Sequence, residues 1–516
     1  MSPRRRALHR AALWLALGNL ALPFATRAQP APRWTSNPFA LGIASGQPRP
    51  DGVLLWTRLA PVDGDDLASL GAATCSVRYE VFADQALRQP VARGEVPTDA
   101  RRAFSVHAPV RGLDPQRDYW YRFSCGGAAS AMGRTRTAPA ADAAVGRMRF
   151  ALASCQHFEQ GFYAAHREIA ARELDFVLFV GDYIYEGSSP AYTLRKHGTP
   201  TPHGLAAYRE RHALYKRDPD LQAAHAAHPW LLSWDDHEVV NDYANDRGST
   251  GDDPARFLRR RAAAYQAYFE HMPLALPPRG ADMRIHDRFA WGRLASLWTL
   301  DCRQYRSHHA CAYPSHDAGR IVVDCTELAD PARTMLGAEQ ERWLQQGLAA
   351  STCQWKLLGQ STQMSATGID TPEGRKTWTD GWDGYPEARR RLLQAAADTR
   401  LSNLVVLGGD VHRHVAADLR LRPNDPDSAV IASEIVGGSV TSRGAGQAAM
   451  ARLRRDNPDV VHARGDQRGY AAIEITPEAM RCEFRATAHP VLADASFETQ
   501  ARFAVEAGRA GVQADG

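Results

Sequence analysis

No apolar run in this 516-residue sequence is long enough to cross a membrane, because the hydrophobic residues are spread over many short segments. An excess of charge is also lacking: 62 lysines and arginines stand against 58 aspartates and glutamates, a net charge of +4. A surface that binds nucleic acid or acidic lipid needs a larger positive excess. We therefore expect no stable nucleic-acid partner, and no membrane span once a signal is removed.

The first 28 residues have the composition of an export signal. Residues 4–6 are arginines, residues 11–25 are modestly apolar, and Thr26 and Ala28 are small residues at the two positions that a signal peptidase reads. The paired arginines resemble a twin-arginine signal, whose export machinery carries folded proteins. A membrane anchor is the alternative, but the segment is short and weakly apolar. We expect a periplasmic or secreted protein that engages this machinery.

The chain has eight cysteines, and in an exported protein most of them should pair. Cys75 and Cys125 fall in one early segment and form one plausible pair. Cys311 and Cys325 flank a loop and form another. Connectivity does not follow from sequence. Cys155 follows a predicted buried strand, and both a disulfide and a metal thiolate are open for it.

Residues 36–138 predict an all-β N-terminal domain. Three runs alternate with period two or are rich in aromatic residues, namely 53–58, 75–81 and 119–123. The turn at 112–115 before the third run is common in fibronectin-like sandwiches. Residues 138–144 are small, contain proline and suit a linker. No cluster of titratable groups follows these strands, so we expect an accessory domain.

Residues 147–490 show alternating strands and helices, which is the signature of a layered α/β domain. The predicted strands are 148–154, 175–180, 230–234, 284–289, 293–299, 355–359 and 404–407. The predicted helices lie at 161–172, 205–227, 254–271, 338–349 and 387–398. We interpret residues 491–516 as a C-terminal tail.

Residues that carry chemistry follow these buried strands, where an open α/β sheet binds its ligands. They occur at 154–156, 181–186, 235–242, 360–363 and 408–414. A single strand-end aspartate caps a turn as often as it binds metal. Aspartate, histidine, cysteine or tyrosine at four strand ends instead indicates one cluster of ligands at one edge of the sheet.

Carboxylates suit hard cations such as Ca²⁺, Mn²⁺ or Mg²⁺, whereas imidazole, thiolate and phenolate favour a transition ion such as iron or zinc. The mixture predicts at least two metals of different character. Two metals about 4 Å apart are a standard clamp for in-line displacement at phosphorus. Asp182 is the candidate for the bridging carboxylate. His237 is the candidate for orienting the ester or for donating a proton to the leaving group.

Three blocks resemble the signature of calcineurin-like metallophosphoesterases, namely Gly181-Asp182, Asp236-His237-Glu238 and Gly409-Asp410-Val411-His412. The segments 37–46, 300–306 and 382–386, together with Cys155 and Tyr185, resemble PhoD-type alkaline phosphatases. The resemblance extends from the signal to about residue 490. It implies an α/β metallophosphoesterase sandwich, with two mixed β-sheets flanked by helices, and an N-terminal all-β fibronectin-like domain.

The resemblance also implies an exported phosphomonoesterase and phosphodiesterase that uses one Fe³⁺ and one or two Ca²⁺. The implied iron ligands are Cys155, Asp182, Tyr185 and His412. The implied calcium ligands are Asp182, Asp236, Asn241 and Asp410. Residues 240–242 depart from the Asn-Asn that this family often shows, so a contribution from Asp235 or Asp242 stays open.

Several alternatives remain at this point. A phospholipase D-like or nucleic-acid-degrading phosphodiesterase is favoured if residues 186–204 leave the site open. A secreted binding protein with structural metals is the alternative from another class. Tyr185 could equally pack in a loop, and Arg413 and His414 could face either the phosphate or solvent. We expect a monomer that acts on a phosphate ester.

Overall fold

The computed structural model describes residues 32–61, 74–189, 193–251, 253–313 and 315–515. The predicted export signal, residues 1–28, lies outside the described residues. Within them, no helix combines the length and the apolarity that a membrane crossing requires.

The strands of the N-terminal part are β1 (Ile43–Arg49), β2 (Gly52–Arg58), β3 (Cys75–Phe82), β4 (Pro90–Thr98), β5 (Ser105–Arg111), β6 (Asp118–Cys125), β7 (Ala128–Ala129) and β8 (Gly133–Arg136). Those that follow are β9 (Met148–Ala153), β10 (Phe176–Val180), β11 (Pro229–Ser233), β12 (Asp287–Trp291), β13 (Ala295–Thr299), β14 (Ile321–Val322), β15 (Trp355–Gly359), β16 (Ile369–Thr371), β17 (Gly374–Trp378), β18 (Leu404–Gly408), β19 (His414–Arg420), β20 (Val430–Gly437), β21 (Val460–Arg464), β22 (Gln467–Ile475), β23 (Ala479–Ala488), β24 (Glu498–Glu506) and β25 (Gln513–Ala514).

The helices are α1 (Ala164–Ala171), α2 (Leu205–Lys216), α3 (Pro219–Ala227), α4 (Pro254–His271), α5 (Gly337–Ala349), α6 (Pro386–Asp398) and α7 (Gln447–Asp456). Helix α4 begins where Asp253 caps it, since the Asp253 carboxylate accepts from two backbone amides and Pro254 needs no partner for its nitrogen. The same Asp-Pro device at Asp218 divides the predicted helical passage 205–227 into α2 and α3.

Two mixed sheets form the centre of the molecule. The ten-stranded sheet has the order β25-β24-β23-β22-β9-β10-β11-β1-β2-β5, and the seven-stranded sheet has the order β12-β13-β15-β18-β20-β19-β21. Each contains four adjacent parallel strands, β9-β10-β11-β1 in the first and β13-β15-β18-β20 in the second. Their carboxyl ends therefore define one edge of each sheet, where a ligand site is expected.

The alternation of side chains along β10 shows how the sheets pack. Phe176, Leu178 and Val180 point into the core between the two sheets, which also contains Leu357 and Val405 of the second sheet. Val177 and Phe179 point to the opposite face, where α2 and α4 cover the sheet. Helices α5 and α6 cover the outer face of the second sheet. The prediction of two mixed sheets flanked by helices is confirmed.

The N-terminal part is all-β, as predicted, but it is not a separate sandwich. Its strands β1, β2 and β5 belong to the ten-stranded sheet, and β1 runs parallel to β11. The remaining strands form a five-stranded sheet that packs over β2 and β5. Hydrogen bonding between distant strands decides this arrangement, and period-two alternation does not reveal the partner of a strand.

The C-terminal residues also differ from the prediction. The predicted tail, residues 491–516, contains β24, which hydrogen-bonds to β23, and β25, which hydrogen-bonds to β24, so both strands extend the ten-stranded sheet. The predicted pair Cys311–Cys325 is confirmed as a disulfide. Cys75 and Cys125 are unpaired buried thiols. The register explains this result, because Arg78 lies opposite Ser124 and Cys75 therefore lies beyond the position that faces Cys125.

Candidate metal centre

The site lies where the carboxyl ends of the parallel strands of both sheets meet. Cys155 follows β9 and Asp182 follows β10, while Asp236 and His237 follow β11. From the second sheet, Asp410 and His412 follow β18. Parallel strands share one direction, so residues far apart in sequence are brought to one place.

The backbone turns sharply at four of these positions. Cys155, Asp182, Asp410 and His412 have φ values of 59°, 59°, 63° and 51°, in the left-handed region that residues other than glycine rarely adopt. Such conformations cost of order 1–3 kcal/mol each and cluster at functional sites. Gly181 allows the close approach here, because a Cβ atom at this position would lie 2.6 Å from Cβ of Asp235.

A buried glutamate holds two of these loops in register. The Glu238 carboxylate accepts from the backbone amides of Asp182 at 3.2 Å, Tyr183 at 2.6 Å and Asp235 at 2.9 Å. It therefore ties the loop after β10 to the loop after β11. The position of Asp182 depends on this carboxylate as well as on the strand.

Three contiguous groups of ligand atoms form the cluster. The first group is Cys155, Asp182 and His412; the second is Asp182, Asp236 and His237; the third is Asp236, Asp242 and Asp380. Within each group the ligand atoms lie within 4.8 Å of one another. Asp182 joins the first group to the second, and Asp236 joins the second to the third.

Tyr185 completes the first group. Its hydroxyl donates to Oδ2 of Asp182 at 2.7 Å and lies 3.1 Å from Nε2 of His412. Nδ1 of His412 lies 2.9 Å from the carbonyl oxygen of Arg443, which orients the ring. Burial, and then the Arg468 guanidinium, lowers the pKa of His412 to about 3, so the ring is neutral, the form that binds metals.

Several carboxyl groups are buried close together in the cluster, an arrangement that bound cations would stabilise. Burial, reinforced by Asp235 and Asp236, raises the pKa of the Asp410 carboxyl well above its usual range. Burial has the same effect on the pKa of Asp182, despite the opposing influence of His237. Oδ1 of Asp182 is buried and has no hydrogen-bond partner within the described ranges. A buried acceptor without a donor is costly, and a cation would satisfy it.

Asn241 lies at the surface of the loop that follows β11. Its side chain is exposed, and its backbone amide donates to Oε1 of Glu186 at 2.9 Å. The next residue, Asp242, has its carboxylate in the third group instead. Asp410 lies outside the three groups, and its Oδ2 accepts from Thr362 Oγ1 at 2.7 Å. Asp242, whose contribution stayed open from the sequence, is therefore a candidate ligand.

Sequence reasoning missed Asp380, which stands after the small sheet β14-β17-β16. Its carboxylate accepts from Arg303 at 2.7 Å and 2.9 Å, from Arg306 at 2.9 Å and from His309 at 2.8 Å. Against the cost of burial, these cations hold the pKa of Asp380 well below its usual range. Arg303 also pairs with Asp235 at 2.6 Å. Asp235 and Asp380 therefore position Arg303 beside the cluster.

His237 belongs to the second group, and its side chain is 18% exposed. Its Nδ1 is 2.7 Å from Oε2 of Glu186, and its ring centroid is 4.1 Å from that of Tyr185. Burial alone would lower the pKa of His237, but the carboxylates of Glu186, Asp236 and Asp182 raise it well above its usual value. Cys155 is buried and forms no disulfide, so this alternative for the thiol is not realised.

Two mixed sheets with this cluster at their edge define a metallophosphoesterase-like fold. The purple acid phosphatase PPD1 from yellow lupin shares the fold, with a TM-score of 0.58 at 9% sequence identity, over 91% of this chain and 74% of that chain. A solved structure of PhoD has a TM-score of 0.89 at 38% identity, over 94% of this chain and 93% of that chain.

Sequence comparison identifies the family within the metallophosphoesterase-like fold. Alkaline phosphatase D of Bacillus subtilis (strain 168) is 39% identical over 493 residues, which are 94% of this chain and 83% of the relative. The family model of PhoD-like phosphatases matches residues 150–484, and that of their N-terminal domain matches residues 25–139. The chain belongs to the PhoD-like phosphatase family and is a hydrolase of phosphate esters. The resemblance drawn from the motifs is confirmed.

Proposed function

We propose that this chain is an exported, metal-dependent alkaline phosphatase that hydrolyses phosphate monoesters and diesters at the cluster around Asp182. One observation carries the proposal. Asp182 belongs at once to a group with a thiol and an imidazole and to a group with a second carboxylate. One carboxylate between two sites of different softness suits a pair of unlike cations.

The donor sets support an assignment of the cations. Cys155, Asp182, Tyr185 and His412 would hold Fe³⁺, because thiolate, phenolate and imidazole suit a transition ion. Asp182, Asp236 and Asp242 would hold one or two Ca²⁺, because carboxylates suit a hard cation. Asp410 lies beside this second set and shares its carboxylate environment. This assignment replaces Asn241 by Asp242.

When bound, such cations polarise phosphoryl oxygens and make a water molecule nucleophilic at neutral pH. The residues of the chain orient the substrate and move protons. Glu186 holds Nδ1 of His237 at 2.7 Å, so Nε2 is the nitrogen that can protonate the leaving oxygen. The carboxylates of Asp235 and Asp380 hold Arg303 in place, and its guanidinium also lies 3.5 Å from Oδ2 of Asp236.

The proposal is tested with p-nitrophenyl phosphate and bis(p-nitrophenyl) phosphate. We expect the protein to hydrolyse both esters, EDTA to abolish both activities, and Fe³⁺ with Ca²⁺ to restore them better than Zn²⁺ or Mg²⁺ alone. The absence of turnover of either ester by metal-loaded protein would contradict the proposal. Because activity, metal dependence and metal identity are read separately, a failure of one does not conceal the others.

Export and the monomeric state are part of the same proposal. The arginines at 4–6 and the small residues Thr26 and Ala28 support twin-arginine export to the periplasm or beyond. Replacing residues 4–6 by lysine is expected to keep the protein in the cytoplasm of its host. Fractionation of host cells measures this outcome, and unchanged export would contradict it. Light scattering of the exported protein measures its mass in solution.

A further inference from the structure

A cavity of about 390 Å³ lies beside Asp410, past the carboxyl end of β18. Thr362, Asp410 and Arg413 form its polar end, and Asp410 is the residue shared with the edge of the cluster. The rest of its lining is mainly apolar and includes Ile369, Trp378, Trp382, Met450 and Leu453. The carboxylate of Asp383, which also lines the cavity, is paired with Arg389 at 2.8 Å. His237 does not line this cavity.

The polar end holds the guanidinium of Arg413, which hydrogen-bonds to a side-chain amide. Nε and Nη2 of Arg413 both donate to Oε1 of Gln363, at 3.0 Å and 2.7 Å, and this amide is neutral. No ion pair found in the part of the chain that the structure describes includes Arg413. A half-buried guanidinium beside a phosphoesterase site suits the oxygens of a phosphate ester.

The apolar walls continue to the mouth of the cavity. Trp382 is buried, and its indole Nε1–H donates to Oε1 of Gln360 at 3.1 Å, which fixes the ring. Trp378 on β17 is 43% exposed and lies opposite Ile321 on β14, which is 59% exposed. Exposed large apolar side chains that border a cavity mark a surface for an apolar ligand group.

We propose that this cavity binds the retained substituent of a phosphate diester, and that it favours an aryl or alkyl group over a small or charged one. The phosphate then lies between the cluster and Arg413, the leaving group faces His237, and the retained group enters the apolar cavity. The inference rests on the proposed phosphodiesterase activity. It adds the residues that select among diesters.

The test compares bis(p-nitrophenyl) phosphate with methyl p-nitrophenyl phosphate, which have the same leaving group and differ in the retained one. The two esters also differ in intrinsic reactivity, so the readout is the change that a variant causes in the ratio of their kcat/KM values. Filling an apolar pocket, or removing a side chain from its wall, alters such a ratio by about tenfold or more.

Helix α7 offers a matched pair of variants. Ala448 and Ala449 are both exposed neighbours on this helix, but Ala449 lines the cavity and Ala448 does not. We expect Ala449→Trp to lower the ratio of aryl to methyl diester by about tenfold, and Ala448→Trp to leave it unchanged. Both substitutions lie at the surface, so folding is preserved in each.

A second pair tests the mouth of the cavity. Trp378→Ala is expected to lower the same ratio by about fivefold to tenfold, because it removes an apolar wall. Tyr313→Ala is the control, since Tyr313 is also 43% exposed but does not line the cavity. Equal ratios in wild type, Ala449→Trp and Trp378→Ala would overturn the inference and leave the proposed function standing. Failure of the wild type to hydrolyse either diester would overturn the inference and the proposed diesterase activity, and turnover of p-nitrophenyl phosphate would then show that the monoesterase activity stands.

Discussion

Oε2 of Glu186 lies 2.7 Å from Nδ1 of His237, and the other oxygen of the same carboxylate accepts from the backbone amide of Asn241 at 2.9 Å. One buried side chain therefore orients the imidazole and also holds the loop that follows it. The pair explains how a partly exposed histidine of the second group keeps a fixed ring orientation, with Nδ1 held and Nε2 left for a substrate.

We expect Glu186→Gln to lower kcat by about 10–100-fold, because an outer partner that orients a functional histidine commonly has an effect of this size. The loss should be larger for phenyl phosphate than for p-nitrophenyl phosphate, since the poorer leaving group depends more on protonation. Steady-state kinetics on the two esters measure this difference. Glu210→Gln, at an exposed glutamate, is the control. Equal losses on both esters would argue against a proton donor at His237.

Arg303→Met is expected to lower the free energy of unfolding by about 3–5 kcal/mol, because it leaves buried carboxylates without their partner. Arg303 is 1% exposed and pairs with Asp235 and Asp380. Urea unfolding of the metal-loaded protein measures the change. A loss below about 1 kcal/mol would show that these carboxylates do not depend on the guanidinium.

The surface pair Arg78–Glu95 provides the control for this experiment. Both side chains are more than half exposed and lie 3.3 Å apart. Exposed ion pairs contribute about 0–1 kcal/mol, so Arg78→Met should change the free energy of unfolding by less than about 1 kcal/mol. A similar loss in both variants would show that the removal of any arginine has the effect attributed to Arg303.

The burial of His212 predicts that the stability of the protein changes with pH, for a reason unrelated to the metal cluster. It is fully buried, its ring stacks on His271 at 5.0 Å, and neither of its ring nitrogens has a hydrogen-bond partner within the described part of the chain. Burial, and then the nearby Lys216, lowers its pKa to about 3. In the unfolded chain the pKa is about 6.5. The unfolded chain is protonated first, so stability is lost as pH falls below 6.5.

We therefore expect His212→Phe to gain stability relative to wild type by about 2 kcal/mol between pH 7 and pH 5, at about 1.4 kcal/mol per pH unit below 6.5. Urea unfolding of both proteins at the two pH values measures the gain. The same difference between variant and wild type at pH 7 and pH 5 would contradict the burial of a neutral imidazole at this position.

Elements with strong local signals could be predicted from the sequence. Helix α4 has its Asp-Pro start and its amphipathic pattern within one segment, and its predicted bounds, 254–271, are the observed ones. The apolar run of β10 is followed directly by glycine and aspartate, so the sequence alone predicted that Asp182 lies at the end of a buried strand. In both cases neighbouring residues determine the structure.

Features that depend on distant partners could not be predicted. Membership of β1 in the ten-stranded sheet depends on β11, more than 180 residues further along. The third group needs Asp380, which belongs to none of the motifs found in the sequence. The place of Asp242 in that group depends on one turn, in which the Asp242 amide donates to Asp236 Oδ2 at 2.7 Å. These contacts arise from tertiary packing, which periodicity does not record.

Elemental analysis of the protein purified after export from its native host tests the central claim, that Asp182 joins two unlike metal sites. We expect iron and calcium in the wild type, loss of both from Asp182→Ala, and loss of iron alone from Cys155→Ala. Circular dichroism confirms that each variant is folded. Full retention of both metals by Asp182→Ala would contradict the bridging role of Asp182.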